Sequence, residues 1–173
     1  MHRFSELVDS CAKFSIATLK SVDEKTLEAL EVSGATVHVK SLQMVQLQRA
    51  ILAVGMISLF EASLQDVFGS EGFEATRRVL SEQDELKAAE RFVDVHLAIN
   101  VLKHGYGRSY KALVGRADSL PFKVKRNGEE FFNEGNVTEV RTLVEVDDDF
   151  IQLCADVIAE VSGVVGRVTG ASI

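Results

Sequence analysis

The stretch Arg49-Ala50-Ile51-Leu52-Ala53-Val54-Gly55-Met56-Ile57-Ser58-Leu59-Phe60-Glu61 decides how the rest of the chain is read. Between its charged ends every position but Ser58 is apolar or glycine, and the spacing from about residue 41 to residue 68 is that of a helix. A helix apolar on every face belongs inside other helices, so this one is expected at the centre of a bundle. Its apolar part, residues 50–60, is far short of the roughly 20 residues that a membrane span needs. Residues 1–7 mix His, Arg and Glu without an apolar h-region, so no signal peptide is expected either.

Working towards the start of the chain, Phe4, Leu7, Val8, Cys11, Phe14, Thr18 and Leu19 recur at three and four and mark an amphipathic helix. Leu27 and Leu30 extend it or form a short second one, with Gly34 as the stop. Residues 36–40 alternate weakly and read as extended. Towards the other end, a short helix is expected over about residues 73–80. Ser81 and Asp84 then resemble a capping box that opens a long helix ending near Gly105. Phe92, Val95, Ile99 and Leu102 form its core stripe. A short helix over residues 109–114 follows. Residues 117–147 differ in character: they hold the only Pro, the Asn127-Gly128 pair expected of a type I′ hairpin turn, and the alternating Phe122, Val124 and Val140, Thr142, Val144. Asp147 caps a final helix with Asp148 and Asp149 in its first turn, where negative charge suits the helix dipole. The fold class is therefore all-α, a single domain of four to six helices with a short irregular or β-hairpin excursion.

Composition agrees. The chain has 173 residues, 46% of them hydrophobic, with one Pro, twelve Gly and two Cys. That suffices for a core without staples and excludes collagenous or disordered classes. A net charge of −7 argues against indiscriminate binding to nucleic acid or anionic membrane. Cys11 and Cys154 fit neither a disulfide framework nor a zinc cage and read as small apolar residues of a reduced, cytoplasmic protein.

The charge is not evenly spread. Residues 99–116 contain Lys103, Arg108, Lys111 and Arg116 and no acid. Within them, His104 at a helix end, the backbone-exposing Gly105 and Gly107, Tyr106, Tyr110 and Arg108 form a set able to hold a phosphate or nucleotide. The same residues also suit plain capping, with Lys103 and His104 complementing the helix C-terminus. Asn100 lies one turn before His104 and can orient its imidazole, whose ordinary near-neutral pKa suits acid–base chemistry. His96, Asn100 and His104 share an arc of about 80° on one helix, yet His96 and His104 are roughly 12 Å apart by rise, too far for one metal. Glu61 closes the apolar run and either is partly buried and needs a donor, with Arg49 and His104 as candidates, or marks the point where the helix emerges into solvent. No cofactor motif, phosphate loop or nucleophile elbow is present.

Two of these segments resemble the HEPN family (higher eukaryotes and prokaryotes nucleotide-binding). The run from Ala50 to Leu64, ending in the aromatic-Glu pair Phe60-Glu61, looks like that family's buried helix. Asn100 and His104 match the Asn and His of its Arg-Asn-x-x-x-His motif. The order of helices agrees over about residues 41–165. The resemblance implies helical protomers paired as homodimers, many of them metal-independent ribonucleases of toxin-antitoxin, phage-defence or RNA-processing systems, acting on RNA and in some cases alongside a cognate partner protein. There His104 would move a proton, with Asn100 beside it; Arg108, one turn beyond if the helix continued, would substitute for the family's Arg, and Lys103, Tyr106 and Lys111 belong to the basic set that would hold phosphate or nucleotide. The family's Arg would fall at Leu97, Ala98 or Ile99, none of them basic. Loss of such a cation removes several kcal/mol of transition-state stabilisation, so a degenerate, non-catalytic relative fits as well as an active nuclease. The other reading is a structural or partner-binding bundle with no nucleic-acid role.

Overall fold

The computed structural model of the chain describes residues 3–129, 131 and 140–173. Among them are six α-helices and no strand: α1 Phe4–Val32, α2 Thr36–Phe68, α3 Gly72–Glu82, α4 Leu86–His104, α5 Arg108–Val114 and α6 Asp148–Thr169. The molecule is the all-α bundle that the apolar spacing predicts. Leu27 and Leu30 extend α1 rather than starting a new helix, and Gly34 lies in the short link to α2.

Three local expectations give way. Residues 36–40 are helical, because a five-residue alternation is weak against the long helical pattern that follows, and each residue added to an existing helix gains a hydrogen bond. Ser81 does not cap α4. It is still inside α3, where its hydroxyl donates to the Arg77 carbonyl at 3.0 Å; α4 begins at Leu86 after Asp84, which takes a left-handed φ of 58°. The Asn127-Gly128 pair does make a turn, closed by Glu129 N–H donating to Arg126 C=O at 3.0 Å, but only Gly128 has positive φ, so it is not type I′. No hairpin forms among the described residues. A single antiparallel bridge joins Val124 to Val144, and residues 130 and 132–139 of the excursion lie outside the described residues.

Helix α2 packs on α1, α3, α4 and α6, as a central helix should, but it is α6 rather than α2 that is enclosed over the wider arc. The α6 cap is as expected, with Phe150 N–H donating to Asp147 Oδ1 at 2.8 Å. Its buried residues, from Phe150 and Ile151 to Val164 and Val165, sweep about half its circumference and meet α1, α2, α3 and α4. By contrast, α2 buries Leu42, Val45, Arg49, Ala53, Met56, Ile57, Phe60 and Leu64 over an arc of about 120°. Its opposite face is open: Ile51 is 55% exposed and Leu59 61%. Phe60 anchors the closed face, stacked on Phe4 at 6.4 Å and edge-on to Phe92 at 6.3 Å.

Ion pairs tie the layers. Arg49 donates from Nε to Asp148 Oδ1 and from Nη2 to Asp23 Oδ2, both at 2.8 Å, joining α2 to the start of α6 and to α1. Burial works to lower the Arg49 pKa, but the hydrogen bonds from Asp148 and then Asp23 outweigh it, so the net shift is upward. Asp94 of α4 pairs with Arg116, fixing the chain after α5. Arg116 is therefore committed to the fold rather than free for a ligand.

Candidate functional site

The basic segment forms an elbow. Helix α4 stops at His104 because Gly105 takes φ 69°, with its N–H donating to Val101 C=O at 2.8 Å. No side chain or backbone crowds Gly105, so only its dihedral demands glycine there. Arg108 then opens α5. Lys103, His104, Arg108 and Lys111 are all exposed and Asn100 is half-buried. Tyr106, 71% exposed, packs its ring edge-to-face on Tyr110 at 4.9 Å. Tyr110 in turn donates its hydroxyl to the Lys125 carbonyl at 2.8 Å, which fastens the elbow to the excursion. Burial first, and then the charges of Tyr106 and Glu129, push the Tyr110 pKa up, so its hydroxyl keeps the proton this bond needs.

That fastening builds something the local pattern did not display. A cleft of about 580 Å³ opens between Gly105 and Tyr106 on one wall and Lys125, Arg126 and Arg141 on the other, with Glu129 the one acid among its described lining residues. Arg126 is held by Asp118 at 2.6 Å, so part of its charge is already answered. Arg141 is exposed. These cations are distant in sequence from the elbow, and only the Lys125-Arg126 pair next to the Asn127-Gly128 turn hinted at them.

The three residues of the α4 polar shoulder do not work as one group. His96 faces inward, its Nδ1 2.7 Å from Glu61 Oε1 and its ring stacked on Phe73 at 3.9 Å. Glu61 is thus partly buried, and its near neighbour is His96 rather than Arg49 or His104, at ion-pair distance but without hydrogen-bond geometry. His104, two turns on, is at the exposed helix end. No cluster of three or more metal-binding side chains occurs among the described residues.

The cysteines divide. Cys154 is fully buried on α6, and burial pushes its thiol pKa far up. Cys11 is exposed on α1 and does not behave as a core residue. Comparison with known protein families, with characterised proteins and with solved structures yields no match to this chain.

Proposed function

We propose that this chain is an RNA- or nucleotide-interacting helical domain of the HEPN-like type, binding through the elbow after α4 and the cleft beside it. The observation that carries the reading is the cleft: an exposed tyrosine and an open glycine face Lys125, Arg126 and Arg141, in a molecule whose net charge is −7. A phosphate backbone is attracted by such a group of cations, and a base stacks on an exposed aromatic ring. Lys103, Arg108 and Lys111 extend the basic surface around the elbow.

Binding is favoured over cleavage as the primary role. The resemblance requires a cation close to His104, and the positions where it would fall are apolar, with Ala98 and Ile99 fully buried. The Arg-to-His spacing of four intervening residues does occur once on the same helix, at Arg91 and His96. Five positions are about 140° of helical rotation. Accordingly, Arg91 reaches Glu160 on α6 at 2.8 Å while His96 meets Glu61 on α2, and the two diverge within a protomer. If the domain does cleave RNA, His104 is the acid–base group and the reaction needs no metal.

The test is fluorescence anisotropy with a short single-stranded RNA and with nucleotides across a salt series. Tyr106→Ala should weaken binding by about 1–3 kcal/mol through lost stacking. Arg108→Ala and Arg141→Ala should each reduce the slope of log affinity against log salt by about 0.7. Affinity and slope unchanged in all three variants would reject the reading. Chelator-insensitive cleavage lost in His104→Ala would establish the nuclease form; cleavage that persists in that variant rules it out.

A further inference from the structure

We propose that the cleft where the start of α1 meets the end of α6 is an anion site that takes inorganic phosphate or a small phosphomonoester. It is separate from the elbow cleft and stands on its own residues, whatever the elbow binds.

The cleft is built by the chain that follows α6. Gly170 takes φ 73° and turns that chain back along the helix. The return is close, since a Cβ at Gly166 would stand 3.1 Å from the Ala171 carbonyl oxygen. Ser5 of α1 donates its hydroxyl to the Ile173 carbonyl at 3.3 Å, which fastens the returning segment beside the first turn of α1. The space left is about 290 Å³, lined by Ser162, Gly163 and Gly166 of α6 and by Arg3 and Arg167, with no Asp or Glu among its described lining residues. That volume is at the small end of ligand sites, roughly 300–1,000 Å³, so it suits a small anion.

Three features converge on it. Ser162 is 5% exposed and its Oγ makes no hydrogen bond. On the other helices Ser10, Ser41, Ser63 and Ser81 return their hydroxyls to the carbonyl four residues earlier, whereas Ser162, which lines the cleft, does not. A buried hydroxyl left unpaired is costly, so this one calls for an acceptor. The second feature is the start of α1. Glu6 and Leu7 N–H groups donate to Arg3 C=O, but those of Phe4 and Ser5 precede any intrahelical acceptor and no side chain caps them. A 29-residue helix thus presents its positive end beside the cleft. The third is the pair of arginines. Arg3 is exposed and joins no ion pair among the described residues. Arg167 meets Glu85 through Nη2 at 3.1 Å, while its Nη1 comes within 3.8 Å of where a Cβ on Gly163 would stand.

Donors from two helices and a buried hydroxyl approach from several directions, which matches the tetrahedral oxygens of a phosphate better than the single plane of a carboxylate. The last turn of α6 does not oppose it strongly, because the Val165 and Gly166 carbonyls already accept from the Thr169 hydroxyl and the Gly170 N–H. Water on Ser162 is the competing occupant, and it accounts for neither the two arginines nor the uncapped helix.

The test is calorimetric titration of the full chain with inorganic phosphate and with glycerol phosphate at constant ionic strength, chloride serving as the blank, together with thermal melts. Saturable binding of one anion per chain is expected. Binding of both probes assigns a phosphomonoester, and binding of phosphate alone assigns the free anion. Arg3→Ala and Arg167→Ala alter exposed side chains, so each should keep its helical circular dichroism while weakening binding about tenfold or more, the effect of one lost charge-assisted bond. Tyr106→Ala and Arg141→Ala, at the elbow, should leave phosphate affinity unchanged. Ser162→Ala should weaken binding yet melt no lower than the wild type without phosphate, since it removes a hydroxyl that has no partner in the fold. No phosphate response beyond the chloride blank overturns the proposal. So does an affinity that falls in Arg141→Ala but not in Arg3→Ala and Arg167→Ala, and so does a Ser162→Ala variant that binds like the wild type and melts lower without phosphate.

Discussion

Replacing Arg49 with Met keeps most of the side-chain volume and removes the charge that joins α1, α2 and α6. The guanidinium is buried and makes two charge-assisted bonds of 2.8 Å. Breaking a fully buried pair by removing one partner costs about 3–5 kcal/mol, mostly from the charge left behind. Here the stranded groups are less enclosed: the Asp23 side chain is 19% exposed and that of Asp148 33%. Asp148 also stands in the first turn of α6, where the helix dipole continues to favour its charge. Those two facts reduce the expected cost to about 2–3 kcal/mol. For a chain of this size that corresponds to a fall in melting temperature of roughly 4–12 °C. Urea unfolding followed by circular dichroism is the assay, with a lower midpoint and an unchanged slope as the expected pattern. Arg49→Lys should fall between the two, because a single ammonium lacks the planar fork that serves both carboxylates at once. A loss below about 0.5 kcal/mol for Arg49→Met, the level of an ordinary surface substitution, would refute the account of Arg49 as the clasp.

Further outcomes follow from other contacts. Asp147→Ala removes the oxygen that accepts Phe150 N–H and should cost about 1 kcal/mol in the same assay, with Asp147→Ser recovering most of it. Gly105→Ala meets no neighbour but must adopt φ 69° with ψ −137°, a region open essentially to glycine; a loss of about 1–3 kcal/mol, together with weaker RNA binding as Tyr106 is displaced, is expected from parallel melting and anisotropy measurements. Phe60→Ala should be among the costliest single changes, about 3–5 kcal/mol by urea titration, since Phe60 is fully buried between Phe4 and Phe92. Thiol labelling of Cys154 should track global unfolding, because the group is both buried and held far above its ordinary pKa; rapid labelling under native conditions would contradict its place in the core.

The helices were legible because their signal is periodic and long. Phe92, Val95, Ile99 and Leu102 read as one stripe; the first three are fully buried and Leu102 is half-buried. Asp147, followed by two more acids, announced a helix start and is one. What failed was reading an apolar composition as burial on every side. The run at residues 50–60 states that water is disfavoured around α2, but not which surface excludes it, and one face is left uncovered within the protomer. The site divides in the same way. The basic elbow could be seen because its cations are neighbours in sequence. Arg141 and the partnership of His96 with Glu61 depend on which helices and loops meet, and no local spacing encodes that. The turn at Asn127-Gly128 was located correctly but not its type, since tertiary anchoring by Tyr110 and the Val124–Val144 bridge fixes the backbone there.

The central position of α6 has a consequence for how the molecule comes to exist. Arg49 of α2, Glu85 in the link before α4 and Arg91 of α4 each find a partner on α6, at Asp148, Arg167 and Glu160. α6 is also the last of the described helices to leave the ribosome. Until it does, α1 to α4 can pack on one another, as Phe60 does between Phe4 and Phe92, but the apolar surface they turn towards α6 stays uncovered. Folding therefore waits on contacts spanning most of the chain, which slows it and prolongs the time in which apolar helices are open to chaperones or to one another. A chain interrupted before Asp148 should accumulate as an aggregation-prone intermediate rather than as a smaller stable bundle.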